Sequence, residues 1–594
     1  FDALTQGLSL LPLLALLLLA WLLRDKARAR PLDAEDGKML KLLLFTALPF
    51  TLLGLYLLHT HILRPAEGAL HTGQATYGDL PLHLAMITSL PGRTLPADYS
   101  ILPGLRLGYP FLTNSLSSSL LVLGLPLRAA VILPSILMMG LVFFGFLLLA
   151  RRVCSSPRAA VLAFLLVFVN GGLGFLYAFD LMGQDLGGPG VNQLQSGAWL
   201  ERLTNILRGW YQTPANHAEF NQYNLRFSNI VADMLLPQRT FLAGWLVLLP
   251  CLFLLLDMMK EEAWNTRQTA LLGILAGGLP LIHTHSFLAL GLASLGFLSH
   301  GLLRKKPWKP FLLYGALAAA LALPQLLAFT FRQAGSEGFL RFQFNWVNNA
   351  GGRGLKDLYL WFYVKNIGLP FLLLLFALFE KEAWHRRLFT GAFAVFLVAE
   401  FILFQPNEYD NNKLFYVWWA LCAMPVADYA FKLYDKLRGL RALALMGALA
   451  AILMFLTGAL ALAREAVSDY VMFSREDVRL ADFVRDETAP NARFITGTQH
   501  LNPVSSLAGR EIVAGPDLWL YFHGFDTQRR QRDLAAFYRD PASHLQLPAE
   551  YGVSYILLGP NERAEWGAKR EGLDALYELV YEADSYLVYK VPEG

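Results

Sequence analysis

Runs of apolar residues long enough to cross a bilayer recur along most of this chain, and they constrain its fold more than any other feature. A membrane-spanning helix needs about 20 such residues, because lipid offers no partners to unpaired backbone amides and carbonyls. Segments of this kind fall at 7–24, 40–59, 128–150, 158–178, 240–258, 267–284, 286–303, 310–331, 360–378, 387–405, 413–431 and 440–463, about twelve in all. The stretch 111–126 is apolar but shorter, and reads as a re-entrant or interfacial helix. Hydrophobic residues make up 55% of the chain and charged residues 16%, more apolar surface than a soluble fold of this size has room to bury. The expected fold is a polytopic α-helical membrane protein.

Lysine and arginine set its orientation. They collect in the short connections 24–30, 151–152, 260–267, 304–309, 381–387 and 432–441, and with about twelve spans every one of these lies on the same, cytoplasmic face. The first apolar run has its positive charges after it, the reverse of a secretory signal peptide, and reads as a retained helix that starts outside. Residues 1–463 therefore form a transmembrane domain with large outer loops at 60–127 and 179–239, both rich in Gly, Pro, Asn, His and Tyr. Residues 464–594 read as an extracytoplasmic, periplasmic α/β domain. Within it, "SREDVRLADFVRDE" has the pattern of an amphipathic helix, "GVSYILLGP" that of a buried strand, and "YELVYEADSYLVYKV" that of a hairpin.

Several function classes are excluded at this level. The net charge of +4 is small and no basic run carries interleaved aromatics, so nucleic acid is not a partner. The three cysteines, Cys154, Cys251 and Cys422, lie in or beside apolar segments, so the tail has no disulfide framework. Neither CxxC nor HExxH spacing occurs, which removes the usual zinc signatures.

Four constellations carry the remaining chemistry. In "TYGDLPLHLAMI", Asp79 sits where a helix would begin and His83 one turn later on the same face; the alternative is an aspartate that only caps the helix. In "FQPNEYDNNKLFYVWW", Glu408, Asp410, Asn411 and Lys413 crowd a tight turn between two spans. Ionisable groups at membrane depth are costly and point to function, against a solvated turn with a snorkelling lysine. In "LIHTHSF", His283 and His285 lie at the outer end of a helical hairpin, as a hydrogen-bonded pair lining a cavity or as ligands of a divalent cation joined by His217 or Glu219. In "LPQRTF", Arg239 opens a span at the outer face, where an unpaired arginine is normally avoided; Arg226, Arg341 and Arg353 are further outer cations. The tail segment "SLAGREIVAGPDLWLYFHGFD", with Gly509, Arg510, Trp519, His523 and Asp526, reads as a loop packing onto the membrane domain.

A chain of about a dozen spans, with an aspartate near the membrane in its first outer loop ("GDLPLH") and an extracytoplasmic α/β tail, resembles the C-type (GT-C) membrane glycosyltransferases. In this chain the aspartate follows the second span, and the tryptophan-rich C-terminal motif of oligosaccharyltransferases is absent. The resemblance implies Asp79 as catalytic base, and Arg239 and Lys413 as ligands of a donor phosphate, with His83, His283, His285, Glu408, Asp410 and Asn411 around the substrate cavity. It implies a polyprenyl-phosphate-linked sugar as donor, a glycan, lipid or protein as acceptor, and a place in a bacterial inner membrane. No organic cofactor is implied. Two other functions use the same features: a transporter or flippase of a lipid-linked saccharide, and a non-catalytic membrane assembly subunit.

Overall fold

The computed structural model describes residues 34–592 apart from 179–223, 228, 261–264, 332–338, 350–351, 353 and 381, together with scattered residues between 2 and 18. Most of the span expected at 7–24, most of the second large outer loop, and His217, Glu219 and Arg353 lie outside the described residues. Among those described, seven helices are long and apolar enough to cross a membrane. They are α1 (Asp36–His61), α4 (Leu127–Val153), α6 (Arg239–Lys260), α8 (Pro280–Leu303), α9 (Lys309–Thr330), Tyr409–Lys436, whose α-helical part is α13 (Asn412–Lys436), and α14 (Leu443–Val467). An eighth is broken: α10 (Tyr359–Ile367) and α11 (Leu369–Ala377) meet at 117° across Gly368, whose φ of +81° is a conformation that side chains other than glycine's rarely adopt. The protein is thus a mostly helical, multi-pass membrane protein.

The shortfall against about twelve spans has local causes. Pro280 lacks an amide hydrogen and starts a new helix, so the segment expected to run through 267–284 ends as α7 (Thr266–Gly277), and α8 takes the rest. The run expected at 158–178 stops at Phe168 as α5 (Pro157–Phe168), before Asn170-Gly171-Gly172. The run at 387–405 is α12 (Ala383–Phe401), which carries His385, Arg386 and Arg387 in its first turns and Glu400 near its end.

At the centre is the helix Tyr409–Lys436, 83% buried, against 17% for α9 and 22% for α14 at the periphery. α12 and α5 pack on α13, α8 on α12, α6 on α8 and on α4. α9 leans chiefly on α7 and only lightly on α8, so a seam stays open between α8 and α9.

The first outer loop holds two short helices, α2 (Leu80–Ser89) and α3 (Leu112–Val122), and a two-stranded ribbon, β3 (Asp98–Tyr99) with β4 (Leu102–Arg106). At its start β1 (Arg64–Ala66) and β2 (Ala69–Thr72) form a hairpin that pairs with β7 (Tyr470–Phe473), just beyond α14, while β5 (Arg341–Phe342) and β6 (Ile402–Leu403) make a separate short ribbon. Buried Glu465 fixes the same junction, accepting hydrogen bonds from His61 at 2.8 Å and from the Ala75 amide at 3.1 Å.

Residues beyond β7 fold around a five-stranded sheet ordered β11-β12-β10-β8-β9, from β8 (Arg493–Ile495), β9 (Glu511–Ile512), β10 (Tyr555–Leu558), β11 (Glu578–Ala583) and β12 (Tyr586–Lys590). β8 runs parallel to β9 and β10, while β12 is antiparallel to β10 and β11. A helix, α15 (Arg475–Glu487), is closed at its start by a Ser474–Asp477 capping box. Phe494, Ile512, Leu520 and Leu557 belong to the same apolar core as the helical bundle, so this sheet is seated on the membrane region. The first outer loop is the mortar: Ile512 donates its amide to Ser100 O at 2.9 Å, Gly515 to Ile101 O at 2.7 Å, and Ser506 Oγ to Pro81 O at 3.1 Å.

Candidate active site

Asp79 occupies the N-cap position of α2, with Pro81 in the first turn, yet its side chain makes no capping hydrogen bond. The carboxylate is half-buried and lies near the Gln238 side chain, close enough to Asp410 and Lys413 to feel both charges. Gln238 donates its Nε2 to Asp410 Oδ1 at 3.3 Å, which sets one amide near two acids. Burial first, and the charge of Asp410 second, push the Asp79 carboxyl up from 3.8 to about 6, against the pull of Lys413 and Gln238.

The turn before α13 sorts its polar residues in different directions. Lys413 Nζ meets Asp410 Oδ1 at 2.8 Å, and Asn407 donates to Asp410 Oδ2 at 3.2 Å. Asn411 is fully buried; it accepts from the Phe404 amide at 2.8 Å and donates to Asn407 O at 3.0 Å, which locks the turn. Glu408 lies in the field of Arg226, away from Asp410.

Two residues apart on a helix, His283 and His285 would diverge. The backbone at His283 is extended (φ −163°, ψ 101°), which kinks α8 and brings the two rings to 5.6 Å. Gly244 of α6 makes the kink fit, for a Cβ there would stand 2.5 Å from His283 Cβ. His283 Nδ1 is 2.8 Å from Ser286 Oγ, and the Nε2 atoms of both histidines are buried with no hydrogen-bond partner among the described residues.

Arg239 is buried, and its guanidinium is engaged on α3 and α4: Nη1 donates to Asn114 Oδ1 at 3.1 Å, Nη2 to Ser117 Oγ at 2.7 Å and Nε to Ser135 Oγ at 3.4 Å. Asn114 continues to His83 Nδ1 at 3.1 Å. Burial and the nearby Arg239 charge take the His83 imidazole down to about 3, so it is neutral at physiological pH. Arg239 and His83 thus form a polar layer behind the wall, while the next residue, Thr240, lines the cavity itself.

The roof comes from both ends of the chain. Tyr109, after β4, bonds Thr240 Oγ1 at 3.3 Å, and its ring lies 4.9 Å from His523, which follows the short helix Asp517–Phe522 of the tail. His523 Nδ1 is 3.3 Å from Tyr99 OH, and burial takes its imidazole down to about 4.

Lys413, Asp410, His283, His285, Tyr109 and His523 all open on one cavity of about 670 Å³. Below this polar head the cavity becomes an apolar groove along the seam between α8 and α9, lined by Leu288, Leu292, Leu295 and Leu298 on one side and Phe311, Ala318 and Phe331 on the other. Asp79 stands beside Lys413 and Asp410, and it is not itself among the cavity's lining residues. Glu408, Asn411, His83 and Arg239 do not line the cavity, and Arg341 lies exposed in a short strand, Arg341–Phe342. Among the described residues no group of three or more His, Cys, Asp and Glu side chains has the geometry to hold a metal ion.

Nothing in the sequence pattern marks Gln238 or Tyr109, and His523 reads there as part of a packing loop. Gln238 adjoins the arginine of "LPQRTF", and nothing in an amide's type marks it as the partner of an acid distant in sequence.

No protein-family profile matches the chain, and no curated protein sequence does. Among solved structures, ArnT from Cupriavidus metallidurans bound to undecaprenyl phosphate is similar over 94% of this chain and 98% of its own, at 13% identity and a TM-score of 0.46. Its apo form has a TM-score of 0.47 at 11% identity. The oligosaccharyltransferase of Archaeoglobus fulgidus in the apo form is similar over 88% of this chain and 69% of its own, at 14% identity and a TM-score of 0.45. At these identities and TM-scores each is a likeness of fold alone.

Proposed function

We propose that this protein is a membrane glycosyltransferase that takes a sugar from a polyprenyl-phosphate-linked donor and passes it to an acceptor hydroxyl at the membrane face bearing Lys413. One observation carries the reading: a single cavity joins a polar head containing Lys413 to a long apolar groove between α8 and α9. From Thr284 to Leu298 the helix rises about 20 Å at 1.5 Å per residue. Half of a bilayer's hydrocarbon core is about 15 Å, so the groove suits a tail longer than an ordinary acyl chain.

In this reading the donor tail lies in the groove and its phosphate meets Lys413, at the N-terminus of α13, where backbone amides add to the positive field. Lys413 shares its charge between Asp410 and the phosphate. Asp79 receives the proton of the acceptor hydroxyl as that oxygen attacks the anomeric carbon. The bond from that carbon to the phosphate oxygen breaks, its electron pair leaves on the phosphate, and the anomeric configuration inverts. With a carboxyl group near 6, most Asp79 side chains are ionised at neutral pH and ready to accept the proton. The acceptor approaches through the turn before α2, where Gly78 is exposed, while Tyr109 and His523 keep water from the donor side. Arg239 holds α3 and α4 behind this wall and adds positive charge.

The test is transfer by purified protein in lipid nanodiscs supplied with a polyprenyl-phosphate sugar and a hydroxyl acceptor. Wild type is expected to form product and Asp79→Asn to form none. Product from Asp79→Asn at the wild-type rate removes the catalytic assignment. Donor movement across the bilayer without product selects the transporter reading.

A further inference from the structure

The apolar groove has a second end, and it too is cationic. At the opposite membrane face Leu298 and Phe311 also line a small notch of about 40 Å³, rimmed by Arg304, Lys306 and Arg387. Arg387 Nη1 donates to Met259 O at 3.2 Å, and among the described residues none of the three cations forms an ion pair. By contrast, three cations elsewhere on this face are neutralised: Arg152 by Asp257 at 2.7 Å, Arg158 by Asp435 at 2.7 Å, and Lys432 by Glu380 and Glu382. The notch also receives Pro310 in the first turn of α9, where unsatisfied amides favour an anion. Beside it Leu302, Leu303 and Trp308 are exposed, apolar at the level where a glycerol backbone and the start of an acyl chain would lie.

We infer that this notch is a second lipid site, for the phosphate of an anionic phospholipid in the leaflet opposite the polar head, whose acyl chain packs against Leu298 and Phe311 and closes the inner end of the groove. Basic pockets between transmembrane helices at this face are suited to phospholipid headgroups, each cation contributing about 1 kcal/mol. The notch has room for phosphate oxygens alone, so the rest of the lipid lies outside it, along Leu302 and Trp308. The inference is independent of sugar transfer, because none of the three cations touches the polar head.

The experiment measures phosphatidylglycerol retained by the full chain, by native mass spectrometry and by titration into phosphatidylcholine nanodiscs. The Arg304→Gln/Lys306→Gln/Arg387→Gln variant is expected to bind phosphatidylglycerol about 100-fold more weakly. Arg304→Lys/Arg387→Lys should keep most of the affinity. Equal binding by wild type and the triple variant overturns the site, and displacement of the lipid by excess inorganic phosphate overturns the lipid assignment in favour of free phosphate. Should the triple variant fail to fold, wild type alone decides between the two outcomes: its phosphatidylglycerol affinity must fall with added salt while phosphatidylcholine retention stays constant, and a salt-independent affinity refutes the site.

Discussion

Asp79→Asn should make the protein more stable while it stops transfer, and the size of the gain follows from the electrostatics of one side chain. In the folded protein the Asp79 carboxyl lies near 6, whereas its ordinary value, approached on unfolding, is 3.8. The folded state therefore holds the proton more tightly, and wild type loses stability as pH rises from 3.8 through about 6. At 1.36 kcal/mol per tenfold in proton affinity, the loss is about 3 kcal/mol once both states are ionised. Partial exposure of the carboxylate screens it, so this is a ceiling. Asparagine has the same shape and carries no charge, so the variant avoids the loss. Its advantage should be nearly complete at pH 7 and above, about half at pH 5, and absent below the unfolded value. Thermal or denaturant unfolding of wild type and variant, side by side from pH 4 to pH 8, reads this directly, because titrating groups that do not interact with Asp79 cancel in the difference. A variant less stable than wild type at pH 8, or a difference that does not change with pH, would mean that Asp79 is held by favourable charge and that its surroundings do not raise its proton affinity.

Three further outcomes are expected. The rate of sugar transfer should rise about tenfold per pH unit on the acid side of about 6 and level off above it, since only ionised Asp79 accepts a proton; a limb near 4 would indicate an unperturbed carboxylate. Lys413→Ala should abolish transfer and destabilise the protein by about 3 kcal/mol, because it strands Asp410; adding Asp410→Asn should restore stability without transfer, as compared unfolding curves and product assays will show. Gly244→Ala places a methyl group against His283 and should cost about 1–3 kcal/mol while weakening donor binding, measured as a raised KM for the lipid-linked sugar.

What could be read from the sequence was whatever depends on local periodicity. Apolar runs located the helices, and the alternation in "YELVYEADSYLVYKV" located the β11–β12 hairpin. Hydropathy did not register the punctuation within those runs: Pro280 cuts short the span expected at 267–284, and Gly368 bends another by 117°. At the site, the position of Asp79 before a helix was legible, but the direction of its carboxylate was not, because Gln238, its neighbour, lies on a different element. The convergence of His283 and His285 depends on a backbone kink that fits only because a glycine stands opposite in α6. The crowded turn before α13 looks uniform in sequence, yet one-residue steps send Asp410 to Lys413, Asn411 to the turn backbone and Glu408 toward Arg226. Spacing alone does not resolve such steps.

The distribution of charge around the cavity gives its own reason to place chemistry at Asp79. Ionised groups deprived of water are costly unless paired, and the site follows that rule almost throughout. Asp410 has Lys413, Gln238 and Asn407; Arg239 has three oxygen acceptors; His83 and His523 are kept neutral by burial. Arg239 lacks a counter-ion but is fully hydrogen-bonded, and Asp79 departs from the rule furthest. It has a neutral amide nearby, no cation within ion-pair distance among the described residues, and a second carboxylate as a near neighbour. A chain selected for stability alone would place asparagine there at no loss of fit. Under the proposed function an acid at this position makes physical sense, because a proton has to be accepted there, and burial that raises its proton affinity suits a base acting near neutral pH.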